Sequence, residues 1–261
     1  MVLLKKVYMA KLQIKDILDI HEGKTALIVA NGPSTKPYLK HIANCSKQKD
    51  KYVVFVCNEF DEMLENVGLK INQDITPDYW VMANTILTVN ARFNNFNKLT
   101  NGTLLYADSV DMSKNPENLL KIDFLPYDQR HYDNKPCPIP PELGCCEHCK
   151  ELIPTRLTIQ EELRNYTGSP NRYSTGSTVA LHMLSFAILM GCKKIFISGV
   201  DLDYSLGYFD RKTNNPDTFK LWLNDILMDF KIIGGSAKLK KIEIINLSPI
   251  SPLKEIFKTN V

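Results

Sequence analysis

Apolar runs of strand length alternate along this chain with longer stretches of helical periodicity. The pattern predicts strands over Thr25 to Ala30, Tyr52 to Cys57, Tyr79 to Ala83, Thr103 to Ala107, Lys194 to Gly199 and Ile242 to Leu247. Runs that are apolar at nearly every position suit strands covered on both faces, as in a parallel sheet between helical layers. The clearest helix spans Thr175 to Gly191 and is apolar around most of its circumference, so it is expected against the sheet. Ser174 and Thr175 are its candidate caps and Gly191 its stop. FKLWLNDILMDF, with Trp222, reads as an amphipathic helix forming a lid, and Trp80 as a packing residue. Between about Asp111 and Pro154 the periodicity fades among scattered Pro and Asn, which predicts an insertion or lid rather than a second core.

The junction KTALIVANGPS at Lys24 to Ser34 runs a buried strand straight into a tight turn that opens a helix. Amide hydrogens at a helix start lack intrahelical partners and lie at the positive end of the helix dipole, so phosphate is the expected guest. Gly32 admits close backbone approach, Pro33 suits a first helical position, Ser34 adds a hydroxyl, and Asn31 both donates and accepts. The same four residue types also make ordinary turns. Other strand ends carry Asn58 with Glu59, Asn84 with Thr85, and Asp201 with Asp203. Open sheets of this class bind ligands beyond the carboxyl ends of their strands, and asparagine recognises sugar hydroxyls or a base edge without adding charge.

Bulk composition narrows the partners. The 261 residues are 44% hydrophobic and 23% charged, with 32 basic and 29 acidic side chains giving a net charge of +3. That balance is too small to argue for nucleic acid. No apolar run approaches the roughly 18 residues of a membrane span, and the N-terminus has no signal-peptide core, so a cytoplasmic protein is expected. The basic amphipathic opening MVLLKKVYMAKLQIKDIL docks on the domain or holds the chain peripherally at the inner face of a membrane. Cys57 and Cys192 read as small buried hydrophobes and Cys45 as a loop residue, which suits a reducing compartment. Cys137, Cys145, Cys146 and Cys149, with His148 among them, fall in PCPIPPELGCCEHCKEL, a spacing open to structural zinc, to disulfides or to free thiols in a surface loop. His21, His41 and His131 read as solvent or loop residues, His131 also as a further ligand for that cluster, and His182 as a core histidine.

ANGPS, VCNEF, MANTILT and NRYSTGSTVALHMLSFAILMGCKKIFISGVDLDY together resemble bacterial sialyltransferases of glycosyltransferase family 42. The likeness extends to domain-of-unknown-function 115 proteins and 6-hydroxymethylpterin diphosphokinases, covers about two thirds of the chain and skips the cysteine segment. It implies a nucleotide-sugar donor, CMP-linked in the sialyltransferases, and a glycan acceptor. It assigns nucleotide contacts to Asn31, Gly32, Ser34, Asn58, Asn84, Ser174, Thr175 and Gly176, with Arg172 near phosphate. The family's general-base histidine lies downstream of the motif that here reads GVDLD, and this chain has no histidine after His182. Tyr204 and Tyr208 remain as donors to a leaving phosphate, and Asp203, Asp210 or Asp217 as a base.

These observations predict an α/β Rossmann-like domain over residues 1–261, a mostly parallel sheet flanked by helices with an insert at about 111–154. The expected activity is sugar transfer from a nucleotide donor, with no cofactor required. Asp201 and Asp203 form an Asp-Leu-Asp pair that would hold Mg²⁺ or Mn²⁺ in the alternative, a diphosphokinase of the pterin type. A cap or loop-ordering role for Asp201 is the plain counterpart. A non-catalytic nucleotide-sugar-binding accessory protein is the third reading.

Overall fold

The apolar runs become strands because each can bury both faces. Ala26, Ile28, Phe55 and Ile197 point into one layer, while the alternate residues Leu27, Val29, Val54 and Val56 point into the other. The computed structural model describes residues 17–82, 103–106, 119–121, 124–125, 173–174, 178–210, 212 and 223–259. Within them, β1 (Thr25–Val29), β2 (Tyr52–Cys57), β3 (Tyr79–Met82), β4 (Thr103–Tyr106) and β5 (Leu119–Lys121) precede a small pair, β6 (Phe124–Leu125) and β7 (Tyr173–Ser174). After these come β8 (Lys194–Ser198), β9 (Glu243–Asn246) and β10 (Lys258–Thr259). Helices α1 (Leu39–Ser46) and α2 (Phe60–Asn66) cover one face, and α3 (Val179–Leu189) and α4 (Leu223–Leu239) the other.

The sheet order is β10-β9-β8-β1-β2-β3-β4-β5, and every pairing in it is parallel. The described strands therefore begin with β1 in the middle, build outward through β5, and return to lay β8 against the other side of β1. This is an α/β Rossmann-like arrangement, and its strand order reverses at the β1–β8 seam.

The six strands expected from the sequence form within one residue of their expected ends, and Leu119–Lys121 adds an edge strand inside the stretch read as an insertion. Helix α3 begins later than expected. Its cap is Thr178, whose hydroxyl accepts from Leu181 N at 3.3 Å, while Ser174 belongs to β7. From Leu223 on, helix α4 corrects the lid reading, since Ile226, Phe230, Ile233 and Ala237 recur along it at helical spacing and are buried in the core with α3, while residues 219–222 with Trp222 lie outside the described residues. Cys45 is likewise not a loop residue but sits buried on α1. No described helix is long and apolar enough to cross a membrane.

Candidate functional site at the carboxyl edge

At the β1–β8 seam the two strand ends are stitched together by polar groups. Gly32 N donates to Gly199 O at 2.9 Å, and Gly199 N donates to Ser34 Oγ at 3.1 Å. Asp201, buried just beyond β8, accepts from Ser34 N at 2.9 Å through Oδ2 and from Ser248 Oγ through Oδ1. Ser248 also accepts from Ser251 N at 3.2 Å, and Ser251 Oγ donates to Val200 O at 2.7 Å. One carboxylate thus joins the ends of β1, β8 and β9. A Cβ on Gly32 would lie 2.5 Å from both Asp201 Oδ2 and Gly199 O, and one on Gly199, at φ +71°, would overlap Ala30 O and Thr35 Oγ1. The glycines are needed for strand-end to strand-end approach.

That stitching changes how the NGPS turn works. The segment after Gly32 is a 3-10 helix, Pro33–Tyr38, continuing into α1. Gly32 N–H and Ser34 N–H are spent on Gly199 and Asp201, Thr35 N–H on Gly32 O at 3.0 Å, and Pro33 has none. Ser34 Oγ accepts from Gly199 and keeps its own hydrogen to give.

One strand over, the chemistry reverses. Asn31 is only 7% exposed; its Nδ2 donates to Cys57 O across a long 3.4 Å, and its Oδ1 has no partner. Asn58, at the end of β2, adopts φ +46°, a left-handed conformation that asparagine tolerates better than most residues. Its backbone is tied down, with N donating to Val81 O at 3.3 Å and O accepting from Trp80 Nε1 at 2.9 Å. Its Oδ1 is buried and unpartnered as well. Two neighbouring strands therefore present two buried acceptors with no donor among the described residues, a costly arrangement unless one arrives.

A strap crosses this region. Leu202, at φ +56°, turns the chain out of the seam, and Asp203 Oδ1 accepts from Ser205 N at 2.9 Å. Tyr204–Leu206 makes a 3-10 turn. Phe209 then buries itself edge-on against Phe60, ring centroids 6.0 Å apart, and its N donates to Asn31 O at 2.9 Å. Asn66 Nδ2 donates to Asp210 Oδ2 at 2.9 Å, closing the strap onto α2. Because Leu202 bends the backbone, Asp201 is buried while Asp203 is exposed, and the two carboxylates of Asp-Leu-Asp do not share a face. Asp201 fills the loop-ordering role.

Of the residues singled out in the sequence, Asn31, Gly32, Pro33, Ser34, Asn58, Asp201, Asp203, Tyr204 and Tyr208 are placed at this edge, Tyr208 half-buried beside the α1–α2 layer. The backbone of Ser174 is described, in β7. Asn84, Arg172, Thr175, Gly176, Asp217, His131, His148 and the cysteines 137, 145, 146 and 149 lie outside the described residues. Thr35, fully buried with Oγ1 donating to Ala30 O at 2.7 Å, and the anchor Phe209 escaped the sequence reading. A large aromatic side chain between Tyr208 and Asp210 was the available signal for the anchor.

Burial first, and Glu59 second, push the Cys57 thiol well above its ordinary range, so it stays protonated behind Asn31 and serves as packing. His21 lies in the turn before β1, as read, but is half-buried there and pairs through Nε2 with Tyr79 OH at 2.7 Å. No protein-family model matches the chain, and no curated protein matches it at a significant level.

Proposed function

We propose that the carboxyl edge binds the nucleotide part of a nucleotide-sugar donor and that the protein transfers the sugar, from a CMP-linked donor, to a glycan hydroxyl. The observation that carries this reading is the pair of unpartnered amide oxygens on Asn31 and Asn58 beside the strand-order reversal. Both are neutral acceptors, so they suit ligand groups that donate: ribose hydroxyls or the amino group of a base. The CMP-linked donor rests on the likeness of ANGPS, VCNEF and the Asn171 to Tyr204 segment to family-42 sialyltransferases.

The amides of Gly32 and Ser34 do not contribute to phosphate binding here, since they are spent on the seam. The Ser34 hydroxyl keeps a hydrogen to donate. In the transfer, the bond between the sugar carbon and the phosphate oxygen breaks and its electron pair leaves with the phosphate. Tyr204 or Tyr208 donates to that oxygen, while the acceptor hydroxyl attacks the sugar carbon and gives its proton to the exposed carboxylate of Asp203. On this reading the nucleotide lies beneath the strap, whose backbone carries Asp203, Tyr204 and Tyr208.

Thermal melting with CMP, UDP, GDP and ATP, each with and without Mg²⁺, tests the proposal. CMP should raise the melting temperature saturably without metal. No response to CMP would overturn the reading, and a response to ATP alone, dependent on Mg²⁺, would favour the diphosphokinase alternative.

A further inference from the structure

We propose that the opposite, amino edge of the sheet docks on an anionic lipid surface. Lys51, Lys24 and Lys193 immediately precede β2, β1 and β8, and Thr25 pairs with Tyr52 on one side and Lys194 on the other, which sets the three lysines in one transverse row. Backbone bonds hold that row: Lys193 N donates to Lys24 O at 3.0 Å and Thr25 N to Lys51 O at 2.9 Å. Neighbouring strands lie about 4.8 Å apart, so like charges placed side by side repel unless an anion offsets them. Lys240 and Lys241 extend the basic edge at the start of β9.

Among the described residues, carboxylates on this edge are fewer and partly matched. Glu243 is bridged by Lys194 at 3.2 Å and Lys258 at 3.6 Å, and Asp78 by Lys49 at 2.9 Å. Asp19, Glu22 and Asp50 are exposed among the remaining lysines. Lys24 is half-buried, its Nζ donating to Lys49 O at 2.8 Å, whereas Lys51, Lys193 and Lys241 are exposed.

Two large aliphatic side chains stand out of the same edge, Ile20 at 47% exposure and Leu239 at 66%. Ile20 lies in the segment that Asp19 N and His21 N fasten to Leu189 O and Met190 O, at 3.0 and 2.8 Å, where α3 ends. Leu239 is the last residue of α4, which packs beside α3. Both therefore emerge at the amino-edge end of one helical layer. Lysines with aliphatic tips among them match a lipid interface, where the tips enter the acyl boundary and the ammonium groups meet headgroup phosphates. Nucleic acid would satisfy the lysines but leave Ile20 and Leu239 with nothing apolar to cover them. The carboxyl edge then faces water, open to a soluble donor.

Co-sedimentation with vesicles of equimolar phosphatidylcholine and phosphatidylserine, against phosphatidylcholine alone, reads this directly. The protein should bind only the anionic vesicles, less so as salt rises. The double variant Lys51→Gln, Lys193→Gln should bind about twentyfold more weakly, and Leu239→Ser about tenfold. Lys36→Gln with Lys40→Gln removes the same charge from exposed positions at the carboxyl side and should change nothing. No binding of the wild type, or an equal loss in that control, overturns the proposal. So does duplex DNA binding that Leu239→Ser leaves intact while vesicles are ignored. Melting with CMP reports on the other edge, so failure there leaves this result standing on its own.

Discussion

The two sides of β1 handle buried polar groups in opposite ways. Toward β8, Asp201 has both carboxylate oxygens matched, to Ser34 N and Ser248 Oγ, and the seam is closed. Toward β2, Asn31 and Asn58 keep buried oxygens that nothing in the described structure satisfies. The difference separates a polar residue that builds the fold from one held ready for something else. A matched buried group contributes stability; an unmatched one subtracts from it and is tolerated where a ligand completes it.

That contrast predicts its own asymmetry under mutation. Asp201→Ala strips two buried charge-assisted bonds at once and should cost about 4 kcal/mol in urea unfolding. Retained stability would mean that the seam is not what holds the strand ends together. Phe209→Ala removes the anchor of the strap from its place against Phe60 and should cost about 3 kcal/mol, with proteolysis first appearing at residues 203–210. Asn58→Gly relieves the φ of +46° and should leave stability within about 0.5 kcal/mol of the wild type. The same change should abolish stabilisation by CMP, which an amide with only a backbone role would not do.

A smaller effect belongs to the amino edge. Burial above all, then the Lys24 ammonium, holds His21 below its ordinary pKa, with Asp78 opposing. The unfolded chain then binds more protons than the folded one below about pH 6.5, so stability should fall as pH drops through that value toward the folded pKa. His21→Phe should flatten that slope while losing the bond to Tyr79 OH.

The sheet was legible in the sequence because burial on both faces makes each strand an unbroken apolar run, and Val53–Val56 or Ala26–Val29 admit little else. Positions of asparagine at strand ends were legible for the same reason, since the strands fix where they fall. The partner of each amide was not. Ser34 and Asp201 are 167 residues apart, and their bond exists only because β8 returns beside β1. Local spacing within Asp-Leu-Asp suggested shared coordination, while the left-handed turn at Leu202 that parts the two carboxylates leaves no mark in composition. Helix α4 misled for a related reason: an amphipathic pattern states that one face is covered without stating by what, and α3 covers it.

The most direct measurement follows the asparagine side-chain amides by ¹⁵N NMR during titration with CMP. The Asn31 and Asn58 resonances should shift saturably together, while exposed Asn44 on α1 stays fixed. If CMP binds and those two resonances do not move, the open acceptors between β1 and β2 are not its site and the account is contradicted.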